Sequence, residues 1–99
     1  MQVKVKPYLF LREMLGSQYL TIELPEGATV KELLQLLQQE YGLPEKLTVQ
    51  SASITLFGSN NKTGLIILIN GFNIRQMQGL QSLLQEGDRI SLFPPAAGG

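Results

Sequence analysis

Residues 29–44 constrain the fold more than any other stretch of the sequence. Thr29-Val30-Lys31-Glu32 has the form of a capping box: the threonine caps the first turn and the glutamate three residues on reaches back. Val30, Leu33, Leu34, Leu37 and Tyr41 recur at helical spacing, while Lys31, Glu32, Gln35, Gln38 and Gln39 take the other side. Gly42 suits the left-handed position after the last turn, and Pro44 prevents continuation. The spacing predicts one helix whose apolar stripe is core packing.

The rest of the chain reads mainly as strands. Val3, Val5 and then Leu9 or Phe10 alternate with Lys4 and Lys6, which predicts an opening strand with one wet face. Pro7 has no N–H to give to a ladder, so an edge position or a nearby bulge is expected. Residues 11–16 read as a short helical turn ending at Gly16, and residues 19–24 as a second strand with Leu20, Ile22 and Leu24 on one face. Pro25-Glu26-Gly27 closes it. Two strands so close in sequence form an antiparallel hairpin most simply.

Beyond the helix the pattern loosens. Residues 53–57 suit a strand with Ile54 and Leu56 inward, and residues 58–64 form a polar loop by composition. Residues 65–69 are a continuous aliphatic run, as in a buried central strand. Asn70-Gly71 then signals a type I′ hairpin turn into Phe72-Asn73-Ile74. Residues 80–84 suggest one helical turn, Glu86-Gly87-Asp88 another turn, and residues 89–93 a last strand. One capped helix across one face of a mixed, four- or five-stranded sheet is an α+β arrangement, the ubiquitin-like β-grasp.

Composition limits what such a domain can do. The 99 residues suffice for one core, and 43% apolar with 16% charged content is that of an ordinary globule. Eight acids balance eight bases, which leaves no electrostatic footprint for nucleic acid or an acidic membrane. No apolar run approaches the ~20 residues of a membrane span, and the amino-terminal residues show no secretory core, so the cytoplasm is the expected compartment. The chain has no cysteine and no histidine, which removes thiolate nucleophiles, most zinc sites and the commonest general base. No Gly-rich phosphate loop is present. Self-contained catalysis is not expected. If the chain takes part in chemistry, its own carboxyl terminus is the reactive group and a partner is the catalyst.

The residues that end the sequence suit that role. The boundaries expected are a domain over residues 1–93 and a tail over residues 94–99. Pro94 and Pro95 favour an extended path off the domain surface, and nothing after them is larger than a methyl group. Six extended residues reach about 20 Å, enough to carry a carboxylate down a narrow channel. At Gly98 and Gly99 no Cβ hinders a partner's catalytic group. If Ile90 and Leu92 face the core, alternation turns Ser91 and Phe93 outward, and Phe93 becomes a candidate interface anchor or a cover for the sheet edge.

Arg12-Glu13-Met14-Leu15-Gly16, Asn70-Gly71, Gly87-Asp88 and above all Phe93-Pro94-Pro95 running to Gly98-Gly99 resemble the small subunit of molybdopterin synthase and the small archaeal modifier proteins. The resemblance covers nearly the whole chain and is loosest over residues 43–64, which are longer than in compact members of the family. Thiamine-pathway sulfur carriers share the fold and the Gly-Gly but usually lack Phe-Pro-Pro and are shorter.

The resemblance implies that a ubiquitin-activating-type enzyme adenylates Gly99 with ATP and Mg²⁺, neither of which this chain itself binds. Sulfur then replaces AMP to give a thiocarboxylate for molybdopterin synthesis, or a lysine of a target protein attacks to give an isopeptide bond. Gly98, Pro94 and Pro95 would present the reactive end. Phe93, Arg12, Phe72 and Arg89 are the candidate partner contacts, although a solvated role for either arginine fits equally well. The partners implied are the adenylating enzyme and either the molybdopterin synthase large subunit or lysine-bearing targets, with the chain a monomer when free. The competing reading is a β-grasp interaction domain whose Gly-Gly is incidental.

Overall fold

The computed structural model describes residues 1–49 and 52–95. Seven strands and two helices follow in the order β1 (Gln2–Pro7), α1 (Phe10–Leu15), β2 (Leu20–Glu23), α2 (Val30–Tyr41), β3 (Lys46–Val49), β4 (Ala52–Thr55), β5 (Ile66–Ile69), β6 (Phe72–Asn73) and β7 (Arg89–Phe93). Five strands make one mixed sheet in the order β2-β1-β7-β5-β6, with β1 and β7 parallel and the other neighbours antiparallel. This is the β-grasp arrangement expected. Among the described residues no helix is long and apolar enough to cross a membrane.

The capping box forms as its sequence requires. Glu32 N–H donates to Thr29 Oγ1 at 3.3 Å, and Thr29 N–H donates to Glu32 Oε1 at 3.2 Å. Gly42 closes α2 at φ 76°, in the left-handed region. Val30, Leu33, Leu34 and Leu37 are fully buried and share one cluster with Val3, Val5, Ile67, Ile90 and Leu92 of the sheet. The start of α2 is stapled to the segment before β7: Val30 N–H donates to Ser82 O and Leu84 N–H to Ala28 O.

Four sequence expectations change. Pro7 lies on a central strand, not at an edge. It is tolerated because β2 pairs only as far as Val5, and on the other side Tyr8 N–H takes up the ladder by donating to Leu92 O at 2.9 Å. The aliphatic run of β5 is buried on one face only: Leu65, Ile67 and Ile69 are buried, whereas Ile66 and Leu68 are half-buried. No second layer covers the other face among the described elements. Lys46–Val49 and Ala52–Thr55 form a separate antiparallel ribbon, β3 with β4, through which Leu47 and Ile54 reach the same core. The helical turn expected over residues 80–84 is a 3₁₀ turn at Gly79–Gln81, preceded by another at Ile74–Gln76.

Candidate functional site

Because β1 and β7 are parallel neighbours, their carboxyl ends emerge side by side at one end of the sheet. Ile90 and Leu92 are buried, so alternation places Arg89, Ser91 and Phe93 on the face away from α2. The β1 residues Lys4 and Lys6 lie beside Arg89 and Ser91 in register. Past the end of β1, the Tyr8 ring stacks on Phe93 with centroids 4.2 Å apart and planes 11° from parallel. Phe93 therefore covers no edge: it sits on a central strand, between Tyr8 and its cross-strand partner Ile66. The Lys6 ammonium lies 5.1 Å from the Tyr8 ring centroid and 5.5 Å from that of Tyr19, within cation–π range of both. The open face is thus a row of aromatic, aliphatic and cationic side chains that ends where the chain leaves the sheet.

The anticipated contact residues divide among three places. Phe93 lies at the exit end of the open face and Arg89 at the other end of the same strand, four residues or about 13 Å away. Arg12 is on α1, directly after β1, half-buried and with Nε buried without an acceptor among the described residues. Phe72 belongs elsewhere. It pairs with Ile69, whose side chain is in the core, and cross-strand partners share a face. Phe72 therefore projects on the helix side, where with Met77 and Leu83 it lines a cleft of about 420 Å³. Of the expected tail, Pro94 is buried and Pro95 half-buried, so the chain still packs on the domain as it passes Pro94. Gly98 and Gly99 lie outside the described residues.

Asn70-Gly71 and Gly87-Asp88, two separate turn signals in the sequence, meet in space. Asn70 and Gly71 both have positive φ (50° and 88°), as a type I′ turn requires. The Asn70 amide donates to Asp88 Oδ1 and accepts from Arg89 N–H, both at 2.9 Å, while Asp88 Oδ2 accepts from Gln85 N–H at 2.9 Å. The clamp holds the start of β7 between β1 and β5. Asn70→Ala is expected to lower stability by about 1 kcal/mol, measured by urea unfolding, through loss of these two bonds.

What the sequence did not single out is Tyr8, Lys6 and Tyr19. The phase was visible: with Lys4 and Lys6 facing water, Tyr8 is next on that side. Its stacking partner, 85 positions later, was not. Among the described residues no cluster of acids offers a metal site.

Comparison with known proteins agrees with this geometry. The sequence profile of the ThiS family matches residues 10–99. The chain belongs to the ThiS family. Over 100 residues, and the whole of both chains, this ThiS-family protein is 29% identical to small archaeal modifier protein 3 of Haloferax volcanii. It is 35% identical to a candidate sulfur carrier protein of Archaeoglobus fulgidus over 75 residues, 75% of this chain and 77% of the other. The solution structure of small archaeal modifier protein 1 from Methanosarcina acetivorans superposes with a TM-score of 0.71 at 32% identity, covering 99% of this chain and 96% of that one. The protein is accordingly a ubiquitin-like carrier or modifier and not itself a catalyst.

Proposed function

We propose that this ThiS-family protein offers its terminal Gly99 carboxylate to a ubiquitin-activating-type enzyme. A carboxylate is a poor acyl donor because its leaving group would be oxide. The partner supplies ATP and Mg²⁺, forms the acyl-adenylate and releases pyrophosphate. A sulfide equivalent then displaces AMP to give a thiocarboxylate, or a lysine amine displaces it to give an isopeptide bond. The two outcomes share every step up to the second nucleophile, which belongs to the partner. Molybdopterin synthase is the proposed consumer of the thiocarboxylate, lysine-bearing proteins are the proposed acceptors of the isopeptide, and the cytoplasm is the compartment both routes use.

The observation that carries this reading is the parallel β1–β7 pair. It brings the final strand out in the middle of the sheet, beside the stacked Tyr8–Phe93 rings, so that a docked partner and an entering tail share one line. The domain supplies position and recognition, Gly98 and Gly99 supply access, and Pro94 and Pro95 direct the approach.

Intact-protein mass spectrometry of the chain from its own cells, under mild reduction, tests the proposal. A mass gain equal to exchange of one oxygen for sulfur identifies the carrier route, and Gly-Gly remnants on lysines of other proteins identify the modifier route. An unmodified chain, even after incubation with an adenylating enzyme and ATP, overturns both.

A further inference from the structure

The chain leaves β1 through a turn that its sequence does not favour. Tyr8 O accepts from Leu11 N–H at 3.1 Å, and Leu9 between them has φ 55° and ψ −133°. These angles lie near the first central position of a type II′ turn, about +60° and −120°, where glycine is the usual residue because a Cβ is strained there. Leucine at such a place needs a compensating contact within the fold. Its side chain finds little of that: Leu9 is 71% exposed, in contrast to the buried Leu11 two residues on. Of the two residues that the sequence alternation offers as inward, Leu9 or Phe10, it is Phe10 that packs against the core, because the strand ends at Pro7 and the turn leaves Leu9 outside.

The location gives this side chain a use. Tyr8, its neighbour, is bonded through N–H to Leu92 O and stacked on Phe93, so Leu9 stands beside the strand end from which the tail departs. Its own carbonyl accepts from Arg12 N–H at 3.0 Å, which fixes the peptide groups on both sides. A bulky aliphatic group exposed on a turn whose backbone is already fixed by hydrogen bonds is the form of an anchor that needs no backbone rearrangement to bind. We propose that Leu9 enters an apolar pocket of the adenylating enzyme, next to the channel that takes the tail. This rests on the carrier reading above and adds to it the residue by which the domain seats itself.

The test is ATP–pyrophosphate exchange by the adenylating enzyme of the same cells, at varied concentrations of the full chain and of Leu9→Gly and Leu9→Ala. Both variants are expected to raise KM at least about tenfold with kcat little changed, as loss of an anchor requires. Leu9→Gly is also expected to melt at a higher temperature than the unaltered chain, because the strained backbone is relieved. Exchange kinetics unchanged in both variants overturn the anchor, and so does a defect confined to Leu9→Gly, which would trace to the backbone. A clearly lowered melting temperature of Leu9→Ala, which keeps the Cβ and its strain, shows the side chain to be structural and overturns it too. No exchange with the unaltered chain overturns the carrier reading, and this inference with it.

Discussion

Deleting Gly98 and Gly99 is expected to abolish ATP–pyrophosphate exchange supported by this protein while leaving its melting temperature unchanged. The deletion moves the terminal carboxylate to Ala97, two residues or about 7 Å short of where the partner's catalytic groups wait. Misplacement of a reacting group by even 1 Å costs about a hundredfold in rate, so exchange should fall by at least that factor. Stability should not change, because the deletion leaves the buried Leu92 and Pro94 in place. A milder change, Gly99→Ala, keeps the length and adds one methyl group beside the carboxyl carbon, and is expected to impair exchange partially. Full exchange with the deleted chain would show that Gly98 and Gly99 are not needed for activation and would overturn the role given to them.

Leu37→Ala is expected to be the most damaging change to the fold. Leu37 and its neighbour Leu34 are both 0% exposed at the centre of the cluster between α2 and the sheet. Truncating either removes transfer free energy and leaves a cavity, at a cost of about 2–5 kcal/mol. A domain of this size has roughly 5–15 kcal/mol of stability in all, and each kcal/mol shifts its midpoint by about 4–8 °C. A fall of at least about 10 °C in thermal melting is therefore expected, whereas Leu36, half-buried on the flank of the same helix, should cost much less when truncated.

How much of this was legible in the sequence follows from how local each signal is. The helix could be read because its cap, stripe and stop lie within sixteen residues, and the β5–β6 hairpin because Asn70-Gly71 has one good conformation. The β3–β4 ribbon could not: Lys46–Val49 is polar at alternate positions and short, and only pairing with Ala52–Thr55 makes it a strand. Pro7 was misplaced because the rule concerns a missing ladder bond, and here the ladder to β2 has already ended. The site was half legible. Strand alternation put Phe93 outward, but its stacking on Tyr8 depends on a parallel pairing between the two ends of the chain. Phe72 fell on the other side of the sheet because a two-residue turn resets the phase, and cross-strand register decides the face.

The pairing of β1 with β7 also bears on when the protein becomes usable. During synthesis β1 can find β2 at once, but its second edge stays open until the last strand has left the ribosome. β5 waits on its far side for the same strand. Such long-range closure comes late in folding. Insertion of β7 completes the sheet and in the same act brings Phe93 against Tyr8, beside the turn at Leu9. A nicked or misfolded chain still carries the glycines, yet it lacks the surface that would guide them. Under the proposed function, activation of this protein would thereby be linked to its own structural integrity, and ATP would not be spent on chains that have failed to fold.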